Sequence, residues 1–301
     1  MKARPLASIA LFVCLTLISA VDGYSSEARD CRFDSRDPFE PDSHMPFGSH
    51  RGACMRNQEE RNYRILNAFE LSAIPALARY HAKEFTFVAN LKHANQFWVA
   101  VIPKVDAVDR VIYELERVPP KWLAAHTMVR FTFKAGKEAL LFSQTDFRAL
   151  PIKMSSVLIS VTAMPMLDGP EYNLLNATQD NFGLARTLLS PEQVMVRANG
   201  FNHQVDQIEL FLPAGKSAQG YFDSALVFNH DPVVSDTYHT VYRNCVTTLF
   251  HGLDQYLGYR PSRLKPLRTL IPVLTLKALE DRKLVTEASI ISSLNAEFPV
   301  R

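Results

Sequence analysis

Excess charge of either sign is missing from this chain. Its 301 residues carry 33 Lys+Arg against 31 Asp+Glu, a formal net charge of +2, with no basic block. Nucleic acid is bound through a concentrated positive field, so the composition argues against that partner. Cysteine is scarce: four in the whole chain, too few for a disulfide-dense scaffold. After the first twenty residues no run of 18 apolar residues occurs, which argues against a bundle of membrane-crossing helices. Several catalytic signatures are missing as well. The sequence has no HExxH, no CxxC, no GxSxG elbow and no glycine-rich phosphate loop. Motif spacing therefore predicts no metal and no cofactor.

What is present begins with an address. Lys2 and Arg4 precede an apolar run from Leu6 to Ala20. A short basic segment followed by such a run reads as a signal peptide, residues 1–23, cut after Ala20 or Gly23. The expected location is the periplasm, where disulfides persist. Cys14 would be discarded with the signal, leaving Cys31, Cys54 and Cys245. Cys31 and Cys54 lie 23 positions apart in a loop-rich segment. A bridge between them would contribute roughly 3 kcal/mol on the loop-entropy model. Other pairings stay open. This one leaves Cys245 over, either buried and inert or reactive for a reason.

Hydrophobic residues make up 47% of the chain, enough for a real core. Residues 24–60 read as an irregular extension. A helix is expected over 61–80, broken near Pro75. Phe85–Val88 and Phe97–Ile102 read as strands. Val105, Val108, Val111, Ile112 and Leu115 recur at helical spacing, which predicts an amphipathic helix over 104–117. Pro119-Pro120 would end it and divide an N-terminal extension or subdomain, 24–118, from a domain spanning 119–301. Beyond that point Thr127, Val129, Phe131 and Phe133 alternate with His126, Met128, Arg130 and Thr132, a half-buried strand. The turn at Ala135-Gly136-Lys137 suggests a hairpin with Ala139–Ser143. Further strands are expected at 155–163, 193–197 and 207–212, and a helix around Ala218–Leu226. Strands in runs followed by helices predict an α+β fold.

The segment Tyr238–Gly258 carries the chemistry. Val246, Leu249, Phe250, Leu253, Tyr256 and Leu257 form an apolar stripe at helical spacing. Asn244 is a preferred N-cap and Gly258 a preferred C-terminal residue. Cys245 then occupies the first helical position, where free backbone N–H groups favour a thiolate. Gly252 on the flank would let a strand approach and deliver a base. Among eight histidines weighed for that base, His126 is favoured, because a rigid strand could hold its ring against the helix tip. Packing of Cys245 as a plain core residue is the competing reading.

The pairing of His126–Arg148 (HTMVRFTFKAGKEALLFSQTDFR) with Asn244–Thr248 (NCVTT) resembles the Lnb N-terminal periplasmic domain family. The likeness spans roughly residues 120–285. The family typically shows Asn-Cys-Thr-Thr; here Val246 intervenes before the Thr pair. The resemblance implies a permuted papain-like core of the NlpC type, with an antiparallel sheet and a Cys-bearing helix. It implies Cys245 as nucleophile, His126 as general base, and Asp146 or Gln144 as the orienting group. Asn244 would cap the helix near an oxyanion position. The expected activity is cysteine-dependent acyl transfer through an acyl-thioester, from a phospholipid or onto a lipoprotein at the membrane surface. Leu264–Leu276, apolar but broken by Pro266 and Pro272, could touch such a surface. Two alternatives remain: a cysteine peptidase or amidase acting on peptidoglycan peptides, and a non-catalytic periplasmic binding module. Oligomeric state is not legible.

Overall fold

β-branched and aromatic residues fill the middle of the chain, and they assemble one large sheet. The computed structural model describes residues 29–119, 121, 124–261 and 272–299. The expected signal peptide, Cys14 and most of Leu264–Leu276 lie outside them. Eleven strands are described: β1 (Arg64–Ile65), β2 (Phe85–His93), β3 (Gln96–Pro103), β4 (Val108–Arg117), β5 (Ala125–Phe133), β6 (Ala139–Ser143), β7 (Ile152–Met154), β8 (Ser156–Met164), β9 (Gly183–Leu189), β10 (Gln204–Glu209) and β11 (Ile290–Ile291). Their order is β11-β10-β4-β5-β8-β9-β2-β3-β6-β7, with β1 on β2. β2 runs parallel to β9; the other described pairs are antiparallel. Six helices accompany them: α1 (Ala68–Ser72), α2 (Pro191–Gly200), α3 (Ala218–Phe228), α4 (Cys245–Leu257), α5 (Thr275–Asp281) and α6 (Leu294–Glu297). The fold is α+β. Among the described residues no helix is long and apolar enough to cross a membrane.

Strand alternation gives the sheet two different faces. On one face Val129 and Phe131 of β5, Ile159 and Val161 of β8, and Val111 of β4 pack against Tyr221 and Phe222 of α3 and Leu249 and Phe250 of α4. Phe131 is fully buried against the rings of Tyr221 and Phe222, with centroids 5.4 and 4.9 Å away. Burial of one such side chain contributes about 1.5–3 kcal/mol. On the other face Met128, Leu158 and Leu189 meet Val194, Met195 and Ala198 of α2 and Leu294 of α6. A third cluster, including Phe39, Leu77, Phe87, Val99 and Phe142, closes the far end of the sheet.

Several expectations are corrected. The segment predicted as a helix over 104–117 is strand β4, paired with β5 from Val108 to Arg117. It is central and buried on both faces, so its apolar residues run together instead of alternating. Pro119 thus follows a strand, and the pairing of β4 with β5 joins the described residues on the two sides of the expected boundary in one sheet. β5 and β6 form no hairpin: β5 pairs with β4 and β8, β6 with β3 and β7. Residues 193–197 lie in α2, capped by Ser190 and started by Pro191. The 61–80 helix reduces to β1, the five residues of α1 and one turn at Pro75–Leu77.

The extension is firmly attached. Cys31 and Cys54 form a disulfide, with Cα atoms 5.3 Å apart. Buried Arg61 pairs with Asp37 at 2.5 Å and Glu40 at 3.2 Å. Asn90, at positive φ in the β2 bulge, donates its backbone N–H to Gln144 Oε1 at 2.6 Å.

Candidate functional site

Helix α4 forms as its sequence dictates. Asn244 Oδ1 accepts from Thr247 N at 2.9 Å, and Thr247 Oγ1 accepts from Asn244 N at 3.0 Å, a reciprocal capping box. Gly258 takes φ 70°, where a Cβ would be strained, and ends the helix. Cys245 is its first residue, as the spacing predicts, with its free thiol buried at 3% exposure.

Two forces compete at that thiol. The helix N-terminus and the backbone amides of Cys245 and Val246 favour the thiolate, while removal from water opposes it. Burial wins, and the thiol is pushed above its ordinary value. The expectation of a lowered pKa is therefore corrected: the helix tip faces the sheet instead of a wet cleft. Thr127 of β5 and Tyr238 stand beside the sulfur. Tyr113, whose ring lies 5.7 Å from that of Phe250, is close by. The hydroxyls of Thr127 and Tyr113 are buried next to each other, and among the described residues neither makes a well-formed hydrogen bond.

His126 does not reach this sulfur. Thr127 lies on the α4 face of β5, so its neighbour His126 lies on the α2 face. Its Nε2 is 2.8 Å from Ser160 Oγ. Ser160 is the cross-strand partner of Met128, which belongs to the α2-face core. The Ser160 hydroxyl donates to Thr127 O at 3.1 Å, which leaves Nε2–H of a neutral ring as donor to Ser160. Burial pushes the ring down to about 3; Arg197 adds to the shift and Glu116 opposes it. Glu116, paired across the ladder with His126, accepts from Arg197 at 2.5 Å and from His203 Nδ1 at 2.9 Å. Ser160 is fully buried with its proton given to a carbonyl, so Ser160–His126 is a structural polar pair and not a nucleophile with its base.

The other predicted residues separate further. Asp146 is exposed after β6 and caps its own turn, accepting from Arg148 N at 3.0 Å. Buried Gln144 donates to Asp37 at 2.8 Å and Asn90 at 3.1 Å. Both follow or end β6, five ladder steps from β5, and neither orients His126. Asn244 keeps its capping role and also donates from Nδ2 to Thr240 O at 2.5 Å. Gly252 admits a helix and not a strand: a Cβ there would come within 2.9 Å of the Phe228 ring in α3. Two clefts beside α4, of about 560 and 210 Å³, are lined by its outer residues, among them Thr247 and His251, without Cys245.

Comparison with known protein families, curated proteins and solved structures finds no match.

Sequence reasoning missed Thr127, Tyr113 and Tyr238 as the surroundings of the thiol. The signal was the alternation on β5. An apolar helix stripe packs on the apolar strand face, and His126 was already on the other one.

Proposed function

We propose that this chain acts as a non-catalytic binding module of the cell envelope, with Cys245 as a core residue of its scaffold. One observation carries the reading: Thr127, and not His126, meets the Cys245 thiol, so the imidazole that the acyl-transfer reading needs is not positioned to deprotonate it. The ligand class that suits the surface is an acyl chain of a phospholipid or lipoprotein. The connection between β8 and β9 exposes Leu174 and Leu175, the loop leading into α4 exposes Val241 and Tyr242, and Thr240 ties the two together by donating to Ala177 O at 3.0 Å and Leu174 O at 3.2 Å. Iodoacetamide labelling across pH tests the scaffold role. Labelling should be slow in the folded protein and fast after denaturation. Rapid labelling of folded protein near neutral pH would remove this reading.

A second reading, cysteine-dependent acyl transfer on a permuted papain-like core, is favoured by one feature. The capped tip of α4 rests on β5, the strand that carries His126. It requires an imidazole to come to the sulfur. An acyl group released from Cys245 by hydroxylamine, and lost in Cys245→Ala, would establish it over the first.

A further inference from the structure

A different set of soft ligands sits in the N-terminal extension. Cys31 Sγ lies 3.3 Å from His44 Nδ1, and His44 pairs through its backbone with Cys54. The ligand atoms of Cys31, His44 and Cys54 all lie within 4.8 Å of one another. Ligands around one tetrahedral Zn²⁺, bonded at about 2.0–2.3 Å, stand about 3.3–3.8 Å apart, so small shifts would bring the three onto a single ion. A second layer is in place. His44 Nε2 is 2.9 Å from Asp42 Oδ1, which also accepts from Cys31 N at 2.8 Å. Carboxylate–histidine pairs of this kind fix the ring so that its other nitrogen can ligate, and here that nitrogen, 3.2 Å from Gly52 O, would exchange the carbonyl for the ion. Asn57 holds the segment by donating to Cys31 O at 3.1 Å and Pro41 O at 2.7 Å. Spacing did not reveal this group, because the histidine lies inside the 23-residue interval and belongs to no standard metal motif.

We propose that Cys31, Cys54 and His44 are a redox-gated site for a thiophilic divalent cation such as Zn²⁺. The disulfide closes the site. A dithiol reductant opens it by donating two electrons and two protons to the S–S bond while closing to a disulfide itself. The two thiols then release two protons as they bind the ion, with His44 Nδ1 as third ligand and Asp42 accepting from Nε2–H. The His44 side chain, 26% exposed, marks the route to solvent. One segment would thus exchange a covalent staple for a metal staple as the surroundings become reducing.

The test uses Co²⁺ as an optical probe on the chain carrying Cys245→Ala, which removes the third thiol of the described residues. Protein reduced by dithiothreitol and freed of it without oxygen should bind one equivalent, with the near-ultraviolet band of thiolate-to-cobalt charge transfer. Zn²⁺ should displace it. The oxidised protein should show no band. His44→Ala should weaken binding of the reduced form about 10–100-fold. Its oxidised form retains the disulfide and reports whether the segment is folded. Absence of the band in reduced protein, or unchanged affinity in His44→Ala, would overturn the proposal.

Discussion

The two faces of the central sheet solve burial in different ways. Under α3 and α4 the solution is apolar: Phe131, Phe222, Leu249 and Phe250 pack in one cluster. Under α2 and α6 an apolar cluster is joined by buried ion pairs. Arg130 donates to both oxygens of Glu297, at 2.7 and 2.6 Å, and lies 3.8 Å from Glu114. Arg197 and His203 both hold Glu116. Cys245 belongs to the first face and His126 to the second. The lesson is that adjacency along a strand separates two side chains by a sheet's thickness. His126 and Thr127 are chain neighbours, yet one joins a charged network and the other lies beside a desolvated thiol.

That contrast can be broken most severely on the apolar side. Phe131→Ala should cost about 3–5 kcal/mol, read from urea or thermal unfolding, because α3 and the sheet cannot collapse fully into the space left. The loss should be nearly independent of pH and salt. Glu297→Ala on the ionic side should cost less, about 2 kcal/mol, since this carboxylate is 42% exposed while Arg130 is almost wholly buried. Its cost should vary with pH, because Glu114 can ionise in compensation. A pH-independent loss in Glu297→Ala would show that the two faces do not differ in kind.

Titration sharpens the same contrast. Burial raises Glu114 to about 8, with Arg130 opposing, and lowers His126 to about 3. A carboxyl held protonated in the fold stabilises it below the unfolded value near 4.5 and loses that contribution as pH rises toward 8. An imidazole held neutral stabilises above its unfolded value near 6.5 and loses the contribution as pH falls toward 3. Between about 4.5 and 6.5 the two slopes cancel. Stability should therefore be level there and decline on both sides, by at most about 1.4 kcal/mol per pH unit from each group. Glu114→Gln should remove the alkaline decline. His126→Gln should shrink the acid one, which other paired carboxylates share. A pH profile of unfolding for the three proteins checks this, and identical profiles would sink it.

Legibility followed how local each cause was. α4 was readable down to its caps because Asn244, the apolar stripe and Gly258 all act within one segment. The Cys31–Cys54 pair was readable because both residues lie in one short interval. β4 was not, since its burial on two faces comes from strands and helices remote in sequence. The hairpin at Gly136 failed for the same reason: β6 finds its partners in β3 and β7. At the site, the alternation along β5 puts Thr127 and His126 on opposite faces, and the expectation of a His126 base passed over it. The motif resemblance drew them together only by order along the chain.

The smallest effect is the most discriminating for the thiol. Thr127 Oγ1 is buried beside the Cys245 thiol without a well-formed hydrogen bond, so Thr127→Val, of nearly the same shape, removes a desolvated hydroxyl that touches the sulfur. The expected change in stability is within about 1 kcal/mol and in the stabilising direction. With that hydroxyl gone, Cys245 loses a neighbour that favours its thiolate, and its labelling by iodoacetamide should slow further. If Thr127→Val instead destabilised the protein by several kcal/mol while the thiol became more reactive, the hydroxyl would be holding Cys245 in a strained position. The apolar face would then have to be counted as a prepared site and not as core.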